Sequence, residues 1–79
     1  MAEQKQYDVM VQVQFTWENE YGDERKTWAT NIGTYGSNDP DSLPEWIAAN
    51  HVTCEPPGPE KVKRVLFSEI SCYTITEVK

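Results

Sequence analysis

Eleven consecutive residues, Tyr7 to Trp17, constrain this chain more than any other stretch. Tyr7, Val9, Val11, Val13, Phe15 and Trp17 occupy every second position, and Asp8, Gln12, Gln14 and Thr16 fill the gaps, with Met10 the one apolar exception. An alternation of this length is the period of a β-strand with one face buried and one face wet. Its β-branched and aromatic content fits a pleated surface. A strand cannot bury such a stripe alone, so the remaining segments must supply partners and a cover.

Arg25 to Tyr35 reads as a second strand, with Trp28, Thr30, Ile32 and Thr34 on one face and Ala29, Asn31, Gly33 and Tyr35 on the other. The intervening Asn19-Glu20-Tyr21-Gly22-Asp23-Glu24 is turn chemistry, so the two strands form an antiparallel hairpin. Trp17 and Trp28 are expected to meet near its closed end. Gly33 inside the second strand marks a bulge or a close approach. Ser42-Leu43-Pro44-Glu45 matches a capping box with proline in the first turn, and Leu43, Trp46 and Ile47 follow at helical spacing to a stop near Asn50 or His51. Glu55-Pro56-Pro57-Gly58-Pro59-Glu60 excludes helix and central strand, which makes 55–60 a proline-rich connector.

From Lys61 to Val78 the pattern is strand again, but its parity changes: Val65 and Phe67 alternate one way, Ile70, Cys72 and Thr74 the other. Either one strand carries a bulge near Ser68-Glu69, or a turn there makes two strands. The expected fold is α+β: a small two-layer sandwich with an antiparallel sheet of three to four strands and one short helix, in the order β-β-α-β or β-β-α-β-β. All 79 residues form a single domain, with 1–6 a frayed arm.

Charge narrows the partners. Thirteen acids against seven bases give −6, which disfavours direct nucleic-acid binding and an anionic membrane surface. No apolar run approaches the roughly 20 residues that span a bilayer, and the polar start has no signal-peptide core, so a cytoplasmic location is expected. Cys54 and Cys72 are read as free thiols, Cys72 as buried.

No stretch carries a catalytic signature. His51 and Cys54 are three residues apart across a helix end, with no third group to orient them, and His at a helix C-terminus has an electrostatic reason of its own. His51, Cys54 and Cys72 fall short of the four ligands of a structural zinc. Asn38-Asp39-Pro40-Asp41 fails as a calcium loop because Pro40 interrupts it. Lys61, Lys63 and Arg64 are explained by guarding a strand edge. No cofactor, no metal and no enzymatic activity are expected.

Between Glu18 and Glu60 stand nine acids and only Arg25 and Lys26 as bases. Small acidic proteins encoded by bacteriophages use such surfaces to occupy basic clefts of host proteins that handle nucleic acid or serve defence. The expectation is a non-enzymatic protein-binding domain of that inhibitor type, monomeric or homodimeric, facing a partner with a basic surface. Its contact residues are Glu20, Asp23, Glu24, Asp39 and Asp41, with Tyr21 and Tyr35 as aromatic anchors. The alternative is an assembly module that uses an exposed strand edge, its acidity serving solubility.

Overall fold

A computed structural model describes residues 4–56 and 58–79. The protein is a small sheet-dominated α+β fold with three antiparallel strands and one short helix. Strand β1 spans Lys5–Asn19 and β2 spans Glu24–Ser37. A 3-10 turn over Pro40–Ser42, which the sequence pattern does not announce, leads into the helix α1, Leu43–Asn50. Strand β3, Val62–Glu77, closes the chain. The sheet order is β2-β1-β3, so the opening stripe lies on the central strand. Lys5 and Gln6, expected in a frayed arm, extend β1; residues 1–3 of that arm and Pro57 of the connector lie outside the described residues.

The odd-numbered side of β1 is the core. Val9, Val11, Val13, Phe15 and Trp17 are buried with Leu43, Ile47 and Val52, which the helix and the segment after it lay across that face. Among the described residues nothing covers the even-numbered side, and only strand neighbours partly shield Met10, Gln12, Gln14 and Thr16. Ile75 and Ile70 of β3 pair with Val9 and Val13 and pack on the core.

Trp17 and Trp28, expected to meet near the closed end of the hairpin, are on opposite faces. Trp17 pairs with Arg25 and Trp28 with Gln14, so odd positions of β1 meet odd positions of β2. Side chains alternate with period two, so this register sends Trp28 and Ile32 to the uncovered face and keeps Ala29, Gly33 and Tyr35 on the covered one. The turn sets the parity. Asn19, only 1% exposed, accepts at Oδ1 from the N–H groups of Tyr21 and Asp23, both at 2.9 Å. Gly22 takes φ +85° within the loop, a conformation that favours glycine.

Strand β3 is one strand, not two. Its register against β1 shifts between Gln12 and Val13, between Thr16 and Trp17, and between Glu18 and Asn19. These shifts leave Ser71, Leu66 and Lys63 without opposite residues, whereas Ser68 and Glu69 pair regularly with Phe15 and Gln14. Val65 and Phe67 therefore lie on opposite faces across the extra residue Leu66, Ile70 and Cys72 do so across Ser71, and the bulge expected at Ser68-Glu69 is corrected to these two positions. The capping box is not formed either: the Ser42 hydroxyl donates to the Asp39 carbonyl at 2.9 Å, because the preceding 3-10 turn holds Ser42 in helical conformation. Cys72, expected to be buried, is exposed.

Gly33 marks a close approach. The Tyr35 ring folds back over it, and the phenol donates to Asn31 Oδ1 at 2.8 Å. A Cβ at position 33 would lie 3.0 Å from Tyr35 Cε2 and 3.2 Å from its oxygen. Gly33→Ala is expected to push the ring off Asn31 and destabilise the fold by about 1–2 kcal/mol. Thermal unfolding of G33A beside Tyr35→Phe checks this, since the alanine should add little once the hydroxyl is gone.

Candidate functional site

The structure divides the expected contact residues into two groups. Glu20, Tyr21, Asp23 and Glu24 lie at the hairpin tip, while Tyr35 sits near the other end of β2, where Ser37 pairs with Lys5, and Asp39 and Asp41 follow that end. Fifteen residues of β1 at roughly 3.3 Å each separate the two ends by about 45 Å, in a molecule 53 × 18 × 16 Å in extent. No single compact partner face can bridge both groups.

The tip is not an acidic lobe. Pairing of β3 beside β1 brings Val62 opposite Asn19 and Arg64 opposite Glu18. Glu18 accepts an ion pair from Arg64 at 3.0 Å and one from Lys63 at 3.7 Å. Arg25 pairs with Glu60 at 3.3 Å and with Asp23 at 3.7 Å. Glu18, Glu20, Asp23, Glu24 and Glu60 thus stand among Arg25, Lys26, Lys61, Lys63 and Arg64, five charges of each sign, and the whole −6 belongs to the rest of the chain. Residues 61–64 are remote from the hairpin in sequence, so counting acids along the chain could not reveal this neutralisation.

The opposite end keeps its charge. Asp39, Asp41 and Glu45 have no ion-pair partner among the described residues, and all three are exposed. Asp41 and Glu45 rim an open groove between α1 and β3 whose other walls include Pro44, Ile70 and Tyr73. Glu45 also borders a second groove floored by Val13, Ala48 and Ile70. Tyr73 is 54% exposed and Trp46 is 48% exposed, so two aromatic rings stand near these carboxylates. Glu45, Tyr73 and Trp46 were not among the expected contact residues; helix position 45 beside an acidic loop was the available signal for the first.

Of the two expected anchors, Tyr21 is 79% exposed and free at the tip. Tyr35 is engaged: its ring meets Trp46 edge-on at 6.0 Å and His51 at 5.6 Å, and Trp46 meets His51 at 4.9 Å. This cluster clamps the helix end to β2 and gives His51 a packing role. Burial pushes the Cys54 thiol up, the direction opposite to what a thiolate nucleophile needs. Among the described residues no three of His, Cys, Asp and Glu converge as a metal site, and no helix is long and apolar enough to cross a membrane.

A third surface is the uncovered face. Trp28 is 53% exposed, Ile32 78% and Phe67 57%, and register places them around Met10, Gln12, Gln14 and Thr16. Comparison with known protein families, curated proteins and solved structures yields no match to this chain.

Proposed function

We propose that this is a non-enzymatic protein-binding domain whose acidic helix end engages a basic surface on another protein. The mode is that of small phage-encoded inhibitors that occupy sites on host nucleic-acid-handling or defence proteins. The observation that carries this reading is the segregation of charge, with a neutral hairpin tip and the full −6 elsewhere. Asp39, Asp41 and Glu45, unpaired among the described residues and set beside Tyr73 and Trp46, have the charge and the rings that steer association and anchor a contact. In this reading sheet and helix are the two layers of a sandwich that hold the contact rigid.

Affinity capture from lysate of the native host, at low and high salt, tests it. The triple variant Asp39→Lys, Asp41→Lys, Glu45→Lys should lose a salt-sensitive partner that Glu20→Lys with Glu24→Lys retains. Equal capture by both variants sinks the reading.

A second reading, an assembly module, draws support from a different observation. Among the described residues the edges of β2 and β3 run 14 and 16 residues without a neighbouring strand in the sheet. The three bulges in β3 and the cations Lys61, Lys63 and Arg64 guard part of that edge.

A further inference from the structure

We propose that the uncovered face of the sheet is the seat of a second copy of this chain, packed face to face about a two-fold axis that crosses β1 at Gln12. The molecule exposes more surface than its mass requires. A folded monomer of 9.1 kDa exposes about 4,900 Å², whereas this chain exposes 5610 Å². Its radius of gyration is 15.1 Å, against about 12 Å for a compact chain of this length. One face of the sheet, about 50 Å long and about 14 Å wide, covers about 700 Å². Two such faces bury about 1,400 Å², within the range of a stable dimer.

The chemistry of the face selects the partner. Its centre holds Met10, Gln12, Gln14, Thr30, Cys72 and Thr74, flanked by Trp28, Ile32 and Phe67, and Glu69 is the one charge among the central register pairs. All other charge on this face stands at the two ends, as Asp8 at one and Lys26, Glu24, Glu18 and Arg64 at the other. A face whose centre carries a single charge within a charged rim suits aligned sheet packing.

Only one of the two face-to-face symmetries satisfies this pattern. With the axis perpendicular to the strands, each level of β1 meets the level equally far on the other side of Gln12. Trp28, at the level of Gln14, then covers Ile32 of the second copy, at the level of Met10. Lys26, at the level of Thr16, arrives over Thr34, which donates to Asp8 Oδ1 at 2.7 Å, so a cation with no ion pair among the described residues meets a carboxylate. With the axis along the strands, Trp28 would instead lie over Glu69. The first arrangement also puts Cys72 of one copy opposite Cys72 of the other, since Cys72 pairs with Gln12 and its thiol donates to Gln12 Oε1 at 3.6 Å.

Sedimentation equilibrium of the full chain through the micromolar range tests the dimer. The proposal expects twice the chain mass of 9.1 kDa, and the chain mass alone for Ile32→Lys and for Thr30→Arg. Both residues are exposed in the single chain, so circular dichroism should show both variants folded. In a Cys54→Ser background a short bismaleimide should link Cys72 to Cys72. Direct oxidation should not, because faces about 10 Å apart exceed the span of a disulfide. A monomer at every concentration, a dimer indifferent to Ile32→Lys, or a dimer without the Cys72 cross-link overturns the proposal. Reversal of Asp39, Asp41 and Glu45 should leave the dimer intact, which separates this inference from the acidic contact.

Discussion

Trp17→Ala is expected to remove most of the stability of this domain, whereas Trp28→Ala, eleven positions along the hairpin, should cost little in the single chain. Trp17 is 1% exposed and lies in the row of core residues on β1. Emptying a buried aromatic site costs about 3–5 kcal/mol. A chain of 79 residues has a total of about 4–12 kcal/mol to lose. Among the described residues the core cluster holds eight buried hydrophobic side chains, so collapse around the cavity has few neighbours to draw on. The indole also donates from Nε1 to Thr27 Oγ1 at 2.9 Å, in a pair that is itself buried. Thr27→Val isolates that bond and should cost about 1–2 kcal/mol, because it leaves a buried N–H without an acceptor. Urea unfolding by circular dichroism, at concentrations where the chain is monomeric, checks all three. Equal losses for Trp17→Ala and Trp28→Ala would mean that the hairpin register is wrong.

That contrast also marks the limit of what can be read from the chain before its structure is known. The alternation from Tyr7 to Trp17 is sufficient to place β1 at the centre, because a run of five buried side chains needs neighbours on both sides and a cover. Helix α1 was legible from Pro44, the spacing of Leu43 and Ile47, and the break at the prolines. The faces of β2 were not. Trp28, Thr30, Ile32 and Thr34 alternate as well as Ala29, Asn31, Gly33 and Tyr35 do, and hydrophobicity favours the set with tryptophan and isoleucine. The register, fixed at Asn19, chose the other set. In β3 the bulge at Ser71 lets Ile70 and Ile75 both face the core across the parity change.

The candidate site follows the same division. The acids were visible as composition, and the loops that carry them as turn chemistry. Which acids remain unneutralised depends on β3 returning antiparallel beside β1, a contact over more than forty residues of sequence. It pairs Glu18 with Lys63 and Arg64 and brings these cations beside the hairpin tip, while Asp39, Asp41 and Glu45 lie away from them. A linear count of charge weights both groups equally. The uncovered face was hidden by the same misassignment that sent Trp28 inward, since a buried Trp28 leaves no apolar surface to explain.

Asn19 joins these strands of reasoning, and its replacement has the second largest expected effect. Its side chain accepts from Tyr21 N–H and Asp23 N–H and donates from Nδ2 to Glu60 Oε1 at 3.1 Å. One buried amide thus holds the four-residue loop at its length and ties down the end of the proline-rich connector. Asn19→Ala leaves two backbone donors without their acceptor and should cost about 2–4 kcal/mol. Amide hydrogen exchange at Tyr21 and Asp23 should accelerate more than at Val11 or Val13. Asn19→Asp keeps the acceptor but sets a carboxylate against Glu60, so Asn19→Asp with Glu60→Gln should be more stable than Asn19→Asp alone. A double variant no better than the single one would remove Glu60 from the account and leave the loop contacts as the whole effect. The consequence reaches beyond stability. A loop one residue longer or shorter would exchange the faces of β2, carry Trp28 and Ile32 to the covered side, and leave the outer face without the apolar pair on which a second copy would rest.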